Sequence, residues 1–573
     1  MKMTGAKIVI ESMIKEGVEV VFGYPGGAIM NVYDEIYKQN SFQHILTRHE
    51  QAAIHAADGY ARATGKVGVA FLTSGPGFTN GVTGLATAYT DSIPMVVISG
   101  QVPTSLIGTD AFQEIDAVGI SRPCTKHNFL VKDVKDLAYI IKEAFYLAQS
   151  GRPGPVHIDI PKDVTAAMTE FEYPDEVELK TYKPTTKGNK RQLKKAVEAI
   201  KNAKKPLVYV GGGAVLSNAG DLVREFVEVT QIPAVETLMA KGVLGYDNPL
   251  NLGMVGMHGT YAANMAMAEA DLMISFGARF DDRVTGKLEE FAKHAKIIHI
   301  DIDPTSISKI VHADYPIVGD LKNVLKDMMP LVKSEINPEN YEYFRSIVKR
   351  YDELHPLTFH DSDKVLKPQW VIKKTGEILG ENAIISTDVG QHQMWTAQYY
   401  PFSFPRQFVT SGGLGTMGFG FPAAMGVKRG RPDKISVNFS GDGSILMNIQ
   451  EFVTAYEYKL PVINIVLNNN YLGMVRQWQT MFYDDRLAET DLSVQPDFVK
   501  LVEACGGKGY RVKTKDEFVE ALNDAIKQNV PVFIDVIIDR REIVLPMVPA
   551  GESLANTIVE YKDPKAIENK DEK

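Results

Sequence analysis

Short apolar runs that end in glycine, proline or serine recur along this chain, and each is followed by a stretch with helical spacing. In the first part of the chain these runs are VEVVFGYPGG, VGVAFLTSGPG, PMVVISGQ and PVHIDIP. Runs of this length that alternate with helical segments are typical of buried parallel strands, each leading through a loop into a helix. The pattern therefore predicts an α/β protein built from parallel sheets.

The pattern recurs in three blocks, which predicts three consecutive parallel-sheet domains. Further strands are expected at 206–211, 270–277, 295–301, 383–387, 435–440, 462–467 and 532–537. Polar or charged segments divide the chain into a domain at 1–165, a linker at 166–190, a domain at 191–335, a connector at 336–367, a domain at 368–545 and a C-terminal arm at 546–573. We expect the charged end, KDPKAIENKDEK, to be a mobile tail.

Composition argues against several classes of function. With 62 basic and 71 acidic residues and no basic run, the chain is not expected to bind nucleic acid. Its two cysteines, Cys124 and Cys505, form no pattern for disulfides or a zinc site. The N-terminus lacks the unbroken apolar stretch of a secretory signal, and no run is long enough to cross a membrane. We therefore expect a cytoplasmic protein without a membrane partner.

Two oxygen donors follow neighbouring strands of the third block. Gly441-Asp442-Gly443 comes directly after one predicted strand, and Asn469 ends the next, 27 residues later. Such an interval accommodates a crossover helix, which brings both side chains to the same edge of a parallel sheet. Mg²⁺ prefers one or two protein oxygens supplemented by phosphate oxygens and water. The pair predicts a metal-diphosphate site, with the backbone carbonyl of Tyr471 as a possible third ligand.

An isolated Gly-Asp-Gly would be a plain turn, but the second donor at this spacing argues against that alternative. The pair resembles the metal motif of thiamine diphosphate enzymes, which also use a glutamate from a separate domain. Glu50, in RHEQAA at a predicted helix start, matches that glutamate. The resemblance implies that Glu50 hydrogen-bonds the aminopyrimidine ring and promotes deprotonation at C2 of the cofactor. An apolar setting is expected around it, although an isolated glutamate here could also interact with the helix dipole.

The string GGLGTMGFGFPAAMG matches the dinucleotide fingerprint at 413–418. A lone match is weak, no acidic residue follows at the required distance, and Pro422 is expected to interrupt the helix. The resemblance instead implies that Gly415 and Met417 lie beside the thiamine cofactor, where Met417 supports its bent conformation. Met417 could equally be a core residue. The remaining cofactor residues implied by the resemblance are Gln391, His392, Gly441, Gly443, Ser444, Tyr471, Gly473 and Met474.

Within that group, nearly the whole chain resembles the acetohydroxyacid synthase family. The strings that carry the resemblance are SGPGFTN, SGQVPTSLIGTDAFQE, GRPGPVHIDIPKDV, GMHGTYAAN, GARFDDRVTG, HIDIDPTSISK and NNNYLGMVRQWQ. The resemblance implies decarboxylation of pyruvate and transfer of the two-carbon unit to pyruvate or 2-ketobutyrate, a step leading to valine, leucine and isoleucine. It also implies a homodimer or tetramer with active sites at the dimer interface, and a separate small regulatory subunit.

Several substrate-side residues follow from the same resemblance. Trp478 matches a tryptophan that favours the larger acceptor, where one methyl group changes binding by about 1–3 kcal/mol; a tryptophan in a buried helix is the alternative. Met474 and Val475, which precede Trp478 in the chain, are also expected to contact the substrate. Gly27 and Gln113 match positions beside the reacting centre. Lys162 and Arg283 match cations of the substrate channel, although each could also be a surface charge.

The second block matches the FAD-binding pattern of the family's biosynthetic members, which the flavin-free catabolic members lack. Arginines suit a pyrophosphate and a strand-end acid suits a ribose hydroxyl. We therefore expect FAD, without a redox role in the net reaction. The expected FAD residues are Arg152, Gly211, Gly212, Gly213, Thr237, Leu238, Met257, His258, Gly277, Arg279, Asp281, Arg283, Val284, Asp301, Ile302 and Asp320.

Three rival functions remain open at this point. A pyruvate oxidase also holds FAD and thiamine diphosphate but oxidises the two-carbon unit. A glyoxylate carboligase lacks the glutamate that Glu50 supplies here. A non-enzymatic flavin- or nucleotide-binding regulator could have kept the same fold.

Overall fold

The structure, a computed structural model, describes residues 2–562; the last eleven residues, which include most of the predicted tail, lie outside the described residues. Three six-stranded sheets follow one another along the chain, and all strand pairs within them are parallel. The predicted α/β class with three parallel-sheet domains is confirmed. No helix within residues 2–562 is long and apolar enough to cross a membrane.

The first sheet has the strand order β3-β2-β4-β5-β7-β6, and a separate antiparallel ribbon joins β1 to β8. The elements of this region are β1 (Lys2–Thr4), α1 (Gly5–Lys15), β2 (Val20–Gly23), α2 (Met30–Tyr37), β3 (Gln43–Leu46), α3 (Glu50–Thr64), β4 (Gly68–Leu72), α4 (Pro76–Thr90), β5 (Met95–Gln101), α5 (Ala117–Ser121), β6 (His127–Leu130), α6 (Leu137–Gln149), β7 (Pro155–Pro161), α7 (Lys162–Ala166) and β8 (Met168–Glu170). Strand β8 lies inside the predicted linker 166–190. Its three residues carry no strand pattern, and only pairing with β1 makes them a strand.

The central sheet has the order β11-β10-β9-β12-β13-β14, in which the chain reverses direction between β9 and β12. Its elements are α8 (Lys190–Asn202), β9 (Pro206–Val210), α9 (Gly212–Leu216), α10 (Gly220–Thr230), β10 (Ala234–Glu236), β11 (Asn251–Met254), α11 (Tyr261–Glu269), β12 (Leu272–Phe276), α12 (Asp282–Thr285), β13 (Lys296–Asp301), β14 (Tyr315–Val318), α13 (Leu321–Glu335) and α14 (Glu342–Leu354). Helix α14 lies inside the predicted connector 336–367, and it packs against α11 through the buried Phe344 and Val348.

The third sheet has the order β16-β15-β17-β18-β20-β19. Its elements are α15 (Pro368–Leu379), β15 (Ala383–Thr387), α16 (Gln391–Tyr399), β16 (Phe408–Thr410), α17 (Gly420–Gly430), β17 (Ile435–Gly441), α18 (Asp442–Ile445), α19 (Glu451–Glu457), β18 (Val462–Asn468), α20 (Gly473–Phe482), α21 (Phe498–Ala504), β19 (Lys508–Val512), α22 (Lys515–Ala525) and β20 (Val532–Ile537). The expectation that Pro422 interrupts a helix is wrong. It lies in the first turn of α17, where a backbone N–H has no partner within the helix to lose.

Helices α3 and α17 join the first and third domains. They approach so closely that a Cβ at Gly59 would lie 2.1 Å from the Ala423 carbonyl oxygen, and one at Gly426 would lie 1.8 Å from that of Ala56. Only glycine allows this backbone contact. Around it, buried residues of both domains form one continuous core that includes Phe78, Phe421 and Phe452. This contact therefore fixes the position of the first domain relative to the third.

Candidate functional site

The predicted metal donors lie at the carboxyl edge of the third sheet. Strand β15 lies beside β17, and β17 lies beside β18. Helix α16 begins at Gln391 after β15, α18 begins at Asp442 after β17, and Asn469 follows β18. In doubly wound sheets the crevice between strands whose crossovers run in opposite directions is the usual ligand site. The strand order therefore converges these side chains at such a crevice.

Hydrogen bonds connect the donors to their surroundings. Asp442 is 1% exposed, and its carboxylate accepts a hydrogen bond from the side-chain amide of Gln495. The Asn469 amide nitrogen donates to Gln391 Oε1 at 3.2 Å, while Asn469 Oδ1 accepts from the backbone N–H of Tyr471 at 3.0 Å. Burial raises the pKa of Asp442 to about 7. A cation at this edge would favour the ionised carboxylate.

The backbone of Gly473 packs directly against two amide side chains of this edge. A Cβ at Gly473 would lie 2.1 Å from Gln391 Oε1 and 2.7 Å from Asn469 Nδ2, so only glycine allows this close approach. His392 lies against Gly441, and its Nε2 is buried without a hydrogen-bond partner among the described residues. A buried nitrogen of this kind is expected to bind something. These features fit a diphosphate held by a metal ion.

No group of three or more His, Cys, Asp or Glu side chains within residues 2–562 is arranged to hold a metal. The donor set here is different in kind, because it combines one carboxylate with amide and backbone oxygens. Mg²⁺ bound through phosphate oxygens requires no more than this from the protein.

Two residues of this edge were missed by the sequence analysis. Gln495 contacts Asp442 from 53 residues away, and its Oε1 accepts from Asn468 Nδ2 at 2.9 Å. Asp388, at the end of β15, is buried and accepts from Ser440 Oγ at 2.6 Å and the Gly420 N–H at 2.8 Å. Asp388 directly follows a predicted strand, and this position could have indicated it from the sequence. No pattern around Gln495 indicates that residue.

Glu50 begins α3, directly after the turn that follows β3, as predicted. Its carboxylate accepts from Asn80 Nδ2 at 3.1 Å and lies 3.4 Å from His49 Nδ1. Burial raises the pKa of Glu50, but these hydrogen bonds outweigh it, and the pKa lies below its usual value. Within one chain the Glu50 side chain is thus largely buried but has these polar partners, and Ala52 and its neighbours are fully buried.

A single cavity of about 1130 Å³ gathers all sixteen residues expected to hold FAD. It opens at the point where the central sheet reverses direction, between β9 and β12. There a Cβ at Gly211 would lie 2.4 Å from the Gly277 carbonyl oxygen, so the two loops meet backbone to backbone. A nucleotide-binding crevice is expected at this position of such a sheet. The structure thus brings together residues spread from Arg152 to Asp320.

The cavity is rich in arginine. Arg152 lies 3.2 Å from Asp303 and its Nε donates to Ser92 Oγ at 2.8 Å, while Arg279 and Arg283 each lie 3.6 Å from an aspartate. Two further polar atoms that line it, Thr237 Oγ1 and His258 Nδ1, are buried without a partner among the described residues. Three cations and two unpaired polar groups fit a large, doubly charged ligand such as FAD.

Residues of the third domain that are expected beside the substrate or the thiamine cofactor line the same cavity. Met474, Val475 and Trp478 come from α20, and Gly415 and Met417 come from the loop before α17. Trp478 is half-buried, and its indole Nε1 is without a partner among residues 2–562. It therefore faces a cavity instead of filling a closed core.

Other predicted residues lie elsewhere in the chain. Gly27 and Lys162 are exposed at the surface of the first domain, and Gln113 is half-buried with a positive φ of 59°. None of these three lines the cavity, and neither do Glu50 or Asp442. One chain therefore presents the candidate site as separate parts.

Comparison with known proteins agrees with these parts. Three family models match the chain: "Thiamine pyrophosphate enzyme, N-terminal TPP binding domain" at residues 3–120, "Thiamine pyrophosphate enzyme, central domain" at 193–328, and "Thiamine pyrophosphate enzyme, C-terminal TPP binding domain" at 388–536. The chain is 48% identical to the acetolactate synthase large subunit of Haemophilus influenzae, covering 97% of this chain and 98% of that protein.

Two further relatives come from distant organisms. The acetolactate synthase isozyme 3 large subunit of Escherichia coli is 49% identical, over 95% of this chain and 96% of that protein. The probable acetolactate synthase large subunit of Methanocaldococcus jannaschii is also 49% identical, over 97% and 95%.

Proposed function

This chain belongs to the thiamine pyrophosphate enzyme family and, within it, to the acetolactate synthase large subunits. We propose that it decarboxylates pyruvate and joins the resulting two-carbon unit to a second 2-keto acid. Pyruvate as acceptor gives 2-acetolactate, and 2-ketobutyrate gives 2-aceto-2-hydroxybutyrate. The reaction would serve the synthesis of valine, leucine and isoleucine in the cytoplasm.

The position of one helix supports this function. Helix α20 begins at Gly473, whose missing side chain lets the start of the helix pack directly against Asn469 and Gln391. Its following residues, Met474, Val475 and Trp478, line the large cavity. The same helix would therefore lie beside the diphosphate group at one end and beside the acceptor along its length.

At the diphosphate edge, Asp442, Asn469 and the Tyr471 carbonyl would hold Mg²⁺. Gly441, Gly443, Ser444, Gln391 and His392 would contact the diphosphate group. When bound, thiamine diphosphate supplies the carbon nucleophile that decarboxylation and transfer require. The buried Asp442 would remain ionised because the cation offsets the cost of burial. Met417 and Gly415 would support the cofactor from the loop before α17.

In the central cavity, Arg152, Arg279 and the glycines at 211–213 would hold FAD, together with Thr237 and His258. The partnerless atoms of Thr237 and His258 support this assignment. We assign FAD no redox role in the net reaction. Arg283 lies at the same cavity and would attract the carboxylate of an incoming 2-keto acid, while Trp478 would favour the acceptor with the extra methyl group.

A second copy of the chain would complete the site. Glu50 does not line the cavity of its own chain, and we propose that it serves the diphosphate domain of a partner, with Gly27, Gln113 and Lys162 at its side. Exposed apolar side chains beside the metal edge, Leu446 and Met447 of the segment after Asp442, support a covered surface there. At the partner's site Glu50 would hold the proton that the aminopyrimidine nitrogen exchanges. A separate small subunit would bind the assembly, as the names of the relatives imply.

Incubation with pyruvate tests the proposal. We expect 2-acetolactate to form with release of carbon dioxide and dependence on thiamine diphosphate and Mg²⁺. Oxygen uptake with acetyl phosphate and no acetolactate would assign the chain to the pyruvate oxidases. Competition between pyruvate and 2-ketobutyrate then measures acceptor choice, and Trp478→Leu should shift it about tenfold towards pyruvate.

A further inference from the structure

Glu451, the first residue of α19, is a buried carboxylate that the proposed chemistry does not use. It is 0% exposed and forms no ion pair within residues 2–562. Its two oxygens accept from the backbone N–H of Arg48 at 2.9 and 3.2 Å, and one also accepts from Thr454 Oγ1 at 2.7 Å. A buried carboxylate without a cation is costly in free energy. Its position therefore calls for an explanation.

The segment that Glu451 contacts is the turn leading into Glu50. Arg48 lies two residues before Glu50, and α3 begins at Glu50 itself. A second backbone group of the same segment, the N–H of Leu46, donates to the hydroxyl of Tyr458 just beyond α19 at 3.0 Å. Two backbone N–H groups before Glu50 thus donate hydrogen bonds to one short segment of the third domain, 403 and 412 residues away in sequence.

We propose that Glu451 is a positioning residue for Glu50. It accepts a hydrogen bond from the Arg48 N–H and so fixes the turn between β3 and α3. This turn sets the position of the Glu50 carboxylate. This inference rests on the proposed role of Glu50 as a proton partner of the cofactor. Displacement of a reacting group by about 1 Å can cost about 100-fold in rate, so a rigid anchor at this turn matters.

The anchor also connects two of the proposed sites, because Glu50 of this chain would serve the diphosphate domain of a partner. Glu451 lies nine residues after Asp442, and short helix α18 and its following turn join them. One segment of the third domain therefore presents the metal donor of its own site at its start, and at its end holds the turn of a Glu50 that would serve the neighbouring site.

The matched control is Glu457, which lies on the same helix. Its carboxylate pairs with the Arg48 guanidinium at 2.6 Å, but the pair is exposed at the surface. Exposed ion pairs contribute little to stability. Glu451 and Glu457 thus contact the same residue, one through the buried backbone and one through the exposed side chain.

The test compares Glu451→Ala, Glu451→Gln and Glu457→Ala in the full-length enzyme loaded with thiamine diphosphate, Mg²⁺ and FAD. For Glu451→Ala we expect kcat to fall about 10- to 100-fold with thiamine diphosphate affinity within about twofold of wild type. Glu451→Gln should recover most of the rate, because its amide can still accept from Arg48 N–H and donate to Thr454 Oγ1. Glu457→Ala should change kcat less than about twofold.

Backbone hydrogen exchange supplies a readout apart from activity. In the cofactor-free protein, the backbone amides of segment 46–50 should exchange faster in Glu451→Ala than in wild type. In Glu457→Ala their exchange rates should equal those of wild type. A wild-type kcat in Glu451→Ala, or equal losses of kcat and cofactor affinity, would overturn the inference. If Glu451→Ala does not fold, Thr454→Val removes the hydroxyl that holds Glu451 and must lower kcat in the same direction.

Failure of this inference differs from failure of the proposed function. If Glu50→Gln turns over at the wild-type rate, the proposed role of Glu50 is wrong. If Glu50→Gln is slow while Glu451→Ala is normal, only the positioning role of Glu451 is wrong.

Discussion

The first and third sheets have the same strand order but carry different groups at their carboxyl ends. Numbered along each domain, both orders are 2-1-3-4-6-5. The helices that follow the second strands, α3 and α17, also correspond, and they pack directly against each other. The molecule thus contains two domains of the same topology that pack against each other through these helices.

The difference lies in the turns. After the second strand, the first domain presents Glu50 while the third presents the glycine-rich loop with Gly415 and Met417. After the third strand, the first domain has Ser74-Gly75-Pro76 where the third has Gly441-Asp442-Gly443. A shared topology therefore provides equivalent positions, and a few residues at strand ends give each domain its own chemistry.

The largest effect should come from removing the donor that only the third sheet has. Asp442→Ala is expected to abolish thiamine diphosphate binding, because the metal loses its one carboxylate, while FAD stays bound in a cavity that Asp442 does not line. Equilibrium dialysis with thiamine diphosphate and the flavin absorbance measure both. Asp433→Ala, an exposed aspartate of the same domain, serves as the control. Retention of the thiamine cofactor by Asp442→Ala would refute the metal assignment.

The corresponding change in the first sheet should separate binding from catalysis. Glu50→Gln is expected to slow turnover about 10²- to 10⁴-fold, the usual contribution of a proton-transfer group, with cofactor affinity nearly unchanged. Steady-state rates with pyruvate and dialysis of the cofactor provide the two measurements. A variant that lost both equally would place Glu50 among the binding residues instead.

A smaller effect is expected from the amide that contacts Asp442. Gln495→Met keeps the side-chain volume but removes its bonds to Asp442 and Asn468, so the affinity for Mg²⁺ should fall about 10- to 100-fold. Calorimetric titration of Mg²⁺ in the presence of thiamine diphosphate measures it. Ser493→Ala is the control, since its hydroxyl contacts Arg540 and not Asp442. Equal Mg²⁺ affinity in both variants would show that the Gln495 contact does not orient Asp442.

The smallest expected effect concerns two equivalent aspartates of the sixth strands. Asp159, in VHIDI, accepts from Ser99 and Gln101, whereas Asp535, in VFIDV, is paired with Arg511 at 2.9 Å. Burial raises the pKa of Asp159 to about 7. In the unfolded chain the pKa of this carboxyl is about 3.9, so it loses its proton at a lower pH than in the folded protein. The free energy of unfolding should therefore fall as the pH rises from about 4 to about 7.

Substitution of Asp159 by Asn should remove that loss. Between pH 5 and pH 8, the stability of Asp159→Asn relative to wild type should increase by about 1–3 kcal/mol. Scanning calorimetry of both proteins across this range measures the difference. A pH-independent difference would mean that Asp159 is ionised in the folded protein throughout.

The sequence predicted the strands of the three sheets that are long and apolar. The strands 383–387 and 532–537 were predicted with their observed bounds, and 435–440 and 462–467 each ended one residue early. Short strands such as β8 and β16 were missed, because three residues carry no periodic pattern and become strands only through their neighbours. Met417 and Trp478, each left between a core and a site role, line the cavity.

By itself, the sequence determined the α/β class, the placement of Asp442 and Asn469 at strand ends and the start of α3 at Glu50. Each of these depends on local spacing, which a linear pattern records. Only the tertiary structure decided that sixteen distant residues share one cavity, that Gln495 contacts Asp442 and that Glu451 holds the turn before Glu50. Those contacts join residues tens to hundreds of positions apart, and strand order and helix packing, not local spacing, bring them together.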